Sequence, residues 1–307
     1  MKQITLLLVL FAGLINFTTV NAQSKNKVAV DYHQTSETKF IEAEGVKYAY
    51  RVLGSQDGLP LILLQGSLWT MDDWDPQITN GLTQYYKVIL FDNKGVGSST
   101  GKTPDNIAAM AKDAISFIKA MGYNKVNILG LSMGGMITQQ ILLTEPQLVN
   151  KVILAGTGPK GSEGLSDIVK TVTTASSLKP EEQPYYLLFG HSEQARALGK
   201  LALERIQRRT VNRDAPLTQE TIGAQITAVL GWAKPNAEAF NELKAIMQTI
   251  LIVEGHDDIL VPVVNSFNLY QYMPNAKLSL YPDAGHASLF QYPELFLNEA
   301  VPFLKVR

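Results

Sequence analysis

Short runs of aliphatic residues recur along the chain, and each is soon followed by a glycine or an aspartate. Continuous apolar runs of this length are typical of strands that are buried on both faces of a parallel sheet. They predict strands at residues 61–64, 86–91, 126–129, 152–154, 250–253 and 277–281. Upstream, apolar and polar residues alternate on both sides of Glu44-Gly45, over 38–43 and 46–52, which predicts a β-hairpin.

Between the predicted strands, apolar residues recur at three- and four-residue intervals, the spacing of one helix face. This spacing predicts helices over 107–121, 136–143 and 263–272, and a last helix toward Leu304. Alternating strands and helices indicate βαβ units. We therefore expect an α/β fold with a mostly parallel central sheet flanked by helices. The polar stretch 23–36 is predicted to be a loose leader.

The alternation stops over residues 157–236, where only helical patterns occur. This segment is either a surface insertion or a helical lid over an active site. We favour a lid, because segments at the carboxyl ends of parallel strands lie where ligands bind. The fold would then have a first core part over 23–156, the lid, and a second core part over 237–307.

The first 22 residues have the pattern of a secretory signal peptide. Lys2 precedes an apolar run over 4–15, and the small residues Val20 and Ala22 precede a cleavage site. The run is shorter than the about 20 residues that span a bilayer. An uncleaved anchor is the alternative. We expect a mature chain that begins at Gln23, is periplasmic or secreted, and has no stable membrane insertion.

Composition excludes several functional classes. The chain has 307 residues, of which 46% are hydrophobic, so a large core is expected. With 27 basic and 28 acidic residues, it lacks the charge typical of a nucleic-acid binder. The absence of cysteine excludes disulfides, thiol catalysis and cysteine-based zinc sites. No metal-ligand motif, phosphate loop or dinucleotide fingerprint occurs. We therefore expect a small-molecule substrate and no cofactor or metal.

One motif carries candidate chemistry. The predicted strand 126–129 runs into Gly130-Leu131-Ser132-Met133-Gly134, and a predicted helix follows. This is G-x-S-x-G in the strand–turn–helix context that exposes a nucleophilic serine above a sheet. Glycines are needed on both sides of Ser132 because a Cβ there would clash with the adjoining strand and helix.

Here the sequence resembles the α/β-hydrolase superfamily over nearly all of the mature chain. The family's G-x-x-D-x-x-x-P loop is matched after strand 250–253 and selects Asp258, with Asp257 as the alternative one residue earlier. The family's terminal Gly-His is matched at His286. The order Ser132, Asp258, His286 is the order that this fold uses. The resemblance implies that His286 is the general base for Ser132 and that Asp258 orients its imidazole.

The resemblance also implies an oxyanion hole made by the backbone N–H groups of Met133 and Ser67. Most of the family has histidine where this chain has Gln65, and we expect the Gln65 amide to hydrogen-bond within its loop. The loop Asp92-Asn93-Lys94-Gly95-Val96-Gly97-Ser98-Ser99 resembles a family turn that normally contains arginine at the Lys94 position. We expect that loop to support the fold without taking part in the chemistry.

The predicted lid contains a basic run, interpreted as a solvated helix face or alternatively as an anionic-substrate site. The run consists of Arg196, Lys200, Arg205, Arg208 and Arg209. We expect at least one of Trp69, Trp74 and Trp232 to face the substrate. His256 is predicted to be a loop residue, and His33 and His191 to be surface or lid residues.

Together these features predict an exported, cofactor-free serine hydrolase with an esterase- or lactonase-like activity. Its substrate would be small and largely apolar, and the reaction would pass through an acyl-enzyme on Ser132. Two alternatives remain: an aminopeptidase or perhydrolase that uses the same triad, and a ligand-binding receptor with an idle triad. A dehalogenase or an epoxide hydrolase is disfavoured, because those relatives have aspartate at the nucleophile position.

Overall fold

The structure, a computed structural model, describes residues 30–305. The predicted signal peptide over 1–22 and its cleavage site lie outside this range. Within it, no helix is both long enough and apolar enough to cross a membrane.

The described chain forms one eight-stranded sheet in the order β1-β2-β4-β3-β5-β6-β7-β8. The first two strands are antiparallel to their neighbours, and the remaining pairs are parallel. The strands are β1 Lys39–Ala43, β2 Val46–Leu53, β3 Leu61–Leu64, β4 Val88–Phe91, β5 Val126–Leu131, β6 Val149–Ala155, β7 Thr249–Gly255 and β8 Ala276–Tyr281. The predicted hairpin and mostly parallel sheet are both confirmed.

Helices cover both faces of the sheet. They are α1 Tyr32–Thr35, α2 Pro76–Thr83, α3 Ile107–Ala120, α4 Met133–Thr144, α5 Ile168–Ser176, α6 Gln183–Leu188, α7 Glu193–Ile206, α8 Gln219–Trp232, α9 Ala239–Lys244, α10 Val264–Tyr272, α11 Ser288–Gln291 and α12 Pro293–Lys305. Helix α4 begins three residues earlier than its apolar spacing predicts, because its first turn contains the glycines that follow Ser132.

The strand β3 shows how one sheet serves two apolar cores. Ile62 and Leu64 pack in a cluster with α3 and α4, whereas Leu61 and Leu63 pack in a second cluster with α2 and α12. Alternate side chains of a strand point to opposite faces, so a strand covered on both sides must be apolar throughout. This is why the aliphatic runs in the sequence located the central strands correctly.

Residues 157–236, called the helical insertion below, lie between β6 and β7. They contain a short 3-10 helix, Leu165–Asp167, and the helices α5 to α8, with no strand in this described segment. Its helical content was predicted correctly. Its role as a lid stays a prediction.

The predicted loose leader is wrong for its last residues, because α1 packs on α2. His33 in α1 is 1% exposed, although it was predicted to be a surface or lid residue. Its amide donates to Asn80 Oδ1 at 3.0 Å, and its Nδ1 lies 3.1 Å from Thr79 Oγ1. A four-residue helix has too little periodicity to reveal its buried face, and tertiary contacts alone bury it.

His33 should make stability depend on pH. Burial, and then the positive charge of Arg51, lowers the pKa of His33 from 6.5 to about 4. Between these values the unfolded chain binds more protons than the folded protein, so stability is complete above pH 6.5 and is lost as pH falls toward 4. We expect His33→Asn to remove about 2–3 kcal/mol of the acid-induced loss between pH 7.5 and pH 4.5.

Urea unfolding of both proteins at the two pH values measures this difference. Each protein's unfolding free energy at pH 4.5 is subtracted from its own value at pH 7.5, so any pH-independent cost of the substitution cancels. Equal losses of unfolding free energy in the two proteins would contradict the assignment.

Candidate active site

The candidate nucleophile lies in a strained turn between β5 and α4. Ser132 has φ 55° and ψ −119°, which a side chain-bearing residue rarely adopts. The turn is held by the Ser132 amide, which donates to Ala155 O at 2.8 Å, and by Thr157 Oγ1, which donates to Ser132 O at 2.9 Å. Strain of this kind persists only where surrounding contacts fix the backbone, and it is frequent at functional sites.

The glycines around Ser132 are required by space. A Cβ on Gly134 would collide with the carbonyl oxygen of Leu64, and a Cβ on Gly130 would collide with Gly134 O and Thr138 Oγ1. The turn can therefore approach β3 and its own helix only with glycine at both positions. This agrees with the interpretation of the G-x-S-x-G motif from sequence.

His286 and Asp258 form a buried pair. His286 Nδ1 lies 2.6 Å from Asp258 Oδ2, and both residues are about 95% buried. Asp258 Oδ1 accepts hydrogen bonds from the amides of Leu260 and Val261, at 2.7 and 2.9 Å. These two amides fix the orientation of the carboxylate, so that its other oxygen faces the imidazole.

Asp257, the alternative acid, faces elsewhere. Its Oδ1 lies 2.7 Å from Nδ1 of the exposed residue His256. The structure thus brings Asp258, and not its sequence neighbour, to His286. His256 is a loop residue, as predicted.

Sequence reasoning missed Glu254, which lies near the end of β7 and close to Asp258. It is fully buried, and its carboxyl oxygens contact the Gly255 amide at 2.9 Å and Ser266 Oγ at 2.8 Å. Burial, together with the nearby carboxylate of Asp258, raises the pKa of Glu254 well above its usual range. Its burial and its closeness to Asp258 thus both favour the protonated form. A glutamate at the end of an otherwise apolar run was the available signal.

Ser132 and His286 line one cavity of about 210 Å³ under the helical insertion. The insertion supplies the wall formed by Ile168, Val169, Val172, Thr173, Leu187, Leu188, Ile226 and Val229. The core supplies Gly66, Ser67, Leu68, Trp69, Leu131 and Leu260. Among the described residues that line the cavity, His286 is the only one with an acidic or basic side chain.

The loop after β3 lies against the nucleophile. A Cβ on Gly66 would lie 3.4 Å from Ser132 Cβ, and Ser67 lines the cavity. Met133 opens α4, where first-turn amides have no acceptor within the helix. The backbone amides predicted for an oxyanion hole thus belong to two segments that both adjoin Ser132.

The expectation for Gln65 is wrong. Its side chain is 1% exposed, and neither its Oε1 nor its Nε2 has a hydrogen-bond partner among the described residues. The loop is instead hydrogen-bonded to the helical insertion, since the Leu68 amide donates to Gln225 Oε1 of α8 at 2.7 Å. Sequence reasoning could not find this contact, which joins residues 157 positions apart.

The Asp92–Ser99 turn has the predicted structural role. Asp92 Oδ1 accepts from the Met71 amide at 2.9 Å, and Ser99 Oγ donates to Asp92 O at 2.7 Å. Lys94 Nζ lies 3.9 Å from Asp113 Oδ1, so the lysine makes one distant ion pair.

The basic run divides into two groups. Arg196, Lys200 and Arg208 are exposed, as expected of a solvated face. Arg205 and Arg209 fit neither interpretation. Arg205 Nε contacts both oxygens of the buried Asp75, at 2.9 and 3.0 Å, and Arg209 Nη1 donates to His33 O at 2.7 Å. Through these contacts, the two residues attach the C-terminal end of α7 to the core, so they are not available to bind an anionic substrate.

One tryptophan lines the cavity, and its contact with a substrate stays a prediction. This residue, Trp69, stacks on Phe290, with ring centroids 5.6 Å apart. Trp74 is fully buried in the core, and Trp232 is 6% exposed and donates from Nε1 to Gly158 O at 3.1 Å. These two are structural.

Comparison with known proteins identifies the family. A family model described as the alpha/beta hydrolase fold matches residues 60–293. The chain belongs to this family. A solved structure of an alpha/beta hydrolase fold protein from Chitinophaga pinensis is 41% identical, with a TM-score of 0.87, and the match covers 90% of this chain and 99% of that one.

Two curated relatives have named activities. A 2-hydroxy-6-oxo-6-(2'-aminophenyl)hexa-2,4-dienoic acid hydrolase from Metapseudomonas resinovorans is 26% identical over 280 residues, which is 88% of this chain and 91% of the relative. A pimeloyl-(acyl-carrier protein) methyl ester esterase from Nitrosomonas europaea is 24% identical over 255 residues, 79% of this chain and 94% of the relative. Both relatives are hydrolases, which supports hydrolase activity for this alpha/beta hydrolase.

Proposed function

We propose that this protein is an exported, cofactor-free serine hydrolase that cleaves a carboxylic ester or lactone of a small, uncharged, largely apolar substrate. One observation carries the proposal: the His286–Asp258 pair and Ser132 meet at a single apolar cavity. This arrangement supplies a nucleophile, a base and a group that orients the base. The family membership and the hydrolase relatives support the same class of reaction.

In the proposed reaction, Ser132 Oγ attacks the substrate carbonyl carbon while its proton passes to His286 Nε2. The tetrahedral intermediate then expels the alcohol, which takes that proton from His286, and the acyl group remains on Ser132. Water attacks the acyl-enzyme by the same route and releases the acid. Asp258 holds the tautomer that carries hydrogen on Nδ1, which leaves Nε2 free to accept the proton.

The amides of Ser67 and Met133 would stabilise the negative oxygen of the intermediate. Backbone donors fixed before the reaction are effective because they need no reorganisation when the charge develops. The Met133 amide also lies at the N-terminus of the 12-residue helix α4, which favours negative charge.

The lining of the cavity supports an uncharged acyl group. Burying a charge without a partner is costly, and apart from the proposed base His286 the described lining contains no acidic or basic side chain. An aminopeptidase would need an acceptor for the substrate ammonium. The relative from Metapseudomonas resinovorans is named for an acid substrate, and a carboxylate would call for a cation that this lining lacks.

Two p-nitrophenyl esters of equal chain length test the proposal: the hexanoate and the monoester of adipic acid, which adds a terminal carboxylate. We expect kcat/KM to be at least about 100-fold higher for the hexanoate, because the carboxylate would be buried unpaired. Equal rates would contradict the neutral acyl site. Turnover of leucine p-nitroanilide alone would favour an aminopeptidase, and tight ligand binding without turnover would favour a receptor.

Export is a separate part of the proposal and rests on residues 1–22. Protein recovered from the periplasm of a Gram-negative host should begin at Gln23, as read by intact mass. Full-length chain that stays in the cytosol would contradict it.

A further inference from the structure

Helix α8 is hydrogen-bonded to three loops that follow strands of the central sheet. At its start, Thr221 Oγ1 donates to Gly95 O at 2.9 Å. At its end, Trp232 Nε1 donates to Gly158 O at 3.1 Å. Between these points, Ile226 and Val229 line the cavity. The helix is therefore a fixed wall of the site rather than a loosely attached segment.

Gln225 makes the middle contact of this helix. It is 1% exposed, and its Oε1 accepts the hydrogen bond from the Leu68 amide at 2.7 Å. Leu68 directly follows Ser67 and has φ 66°, in the left-handed region that a leucine rarely adopts. A hydrogen bond to a buried side chain is thus one of the forces that keep this unfavourable backbone conformation.

We infer that Gln225 is a positioning residue: by holding the Leu68 amide, it fixes the neighbouring Ser67 amide in the direction required for an oxyanion donor. The inference rests on the proposed function. The Leu68 N–H belongs to the peptide group that follows Ser67, and this group is joined through Ser67 Cα to the one that carries the Ser67 N–H, so the contact restrains one of the two groups on either side of that Cα. The loop after β3, which would carry the oxyanion donor Ser67, is then joined through Gln225 to α8, which lines the cavity.

The neighbouring side chain of Gln65 does not share this role. Gln65, two residues before Ser67, is buried but makes no side-chain hydrogen bond among the described residues. The Gln225 contact therefore has no side-chain substitute at that position of the loop. The Ser67 amide would stabilise the substrate oxygen mainly when that oxygen becomes negative in the transition state. Loss of Gln225 should therefore slow the chemical step more than it weakens substrate binding.

Gln225→Leu removes the acceptor and keeps an uncharged side chain at this buried position. With p-nitrophenyl hexanoate, we expect Gln225→Leu to lower kcat by about 10- to 100-fold, less than complete loss of an oxyanion donor. KM should stay within about 2-fold, because uniform binding is unaffected. Gln219→Leu, the same change at an exposed position of α8, is the matched control and should resemble wild type.

A kcat for Gln225→Leu equal to that of wild type would overturn the inference, as would a rise in KM alone. If Gln225→Leu does not fold, Gln225→Met, which matches glutamine in length, makes the same test. Failure of the proposed function would be distinct, since wild-type protein would then show no turnover of any ester. Thermal melting of each variant separates loss of fold from loss of positioning.

Discussion

Replacing Ser132 by alanine should lower kcat for p-nitrophenyl hexanoate by on the order of 10⁵- to 10⁶-fold, as expected when the nucleophile of a triad is removed. Ser67 and Thr173 also bring hydroxyls to the cavity, but Ser132 is the residue in the strained turn at the start of α4. A residual rate above that in water should remain, since the proposed oxyanion amides and the cavity are kept.

The loss should not come from unfolding. Ser132 keeps its backbone contacts through its amide and carbonyl groups, and these are unchanged by alanine. Thermal melting of Ser132→Ala should therefore resemble wild type. Ser177→Ala, at an exposed serine of the insertion, is the matched control and should retain full activity. Near wild-type turnover by Ser132→Ala would exclude the acyl-enzyme mechanism.

Asp258→Asn should lower kcat by on the order of 10³- to 10⁴-fold. The reason is visible in the hydrogen bonds of the carboxylate. The amides of Leu260 and Val261 both donate to Oδ1, so an asparagine would keep its oxygen there. Its NH₂ group would then face His286 Nδ1 and select the tautomer in which Nε2 is protonated. That tautomer cannot accept the proton of Ser132.

Asp257→Asn is the matched control, since it makes the same change one residue earlier, where the carboxylate contacts the exposed His256. We expect its kcat to stay within about 3-fold of wild type, the scale of a screened surface contact. Steady-state kinetics with urea unfolding measures both variants. A larger loss in Asp257→Asn than in Asp258→Asn would mean that the acid is assigned one residue too late.

The features that sequence could predict are those with a local pattern. Aliphatic runs located the strands because both faces of the sheet are covered, as at Ile62 and Leu63. The turn around Ser132 could be predicted because the glycines that it requires, Gly130 and Gly134, lie two residues on either side of it in the sequence. The register of Asp258 followed from a spaced motif rather than from any physical signal in the residue itself.

The features that escaped prediction depend on contacts between distant segments. Arg205 and Arg209 have a solvated-helix pattern, yet they bond to the core because Asp75 and α1 are placed against them by the fold. His33 is buried for the same reason. The Gln225–Leu68 hydrogen bond joins the insertion to the loop after β3, and neither residue carries a motif. Such pairings need the tertiary structure, since many polar side chains in the insertion could have supplied an acceptor.

The central claim is that Ser132 is an activated nucleophile, and covalent labelling measures this most directly. Wild-type protein and Ser132→Ala are each treated with a fluorophosphonate, followed by intact-mass measurement and peptide mapping. We predict one adduct on wild-type protein, located on Ser132, and none on the alanine variant. Equal labelling of both proteins, or active wild-type enzyme that never labels, would contradict the account.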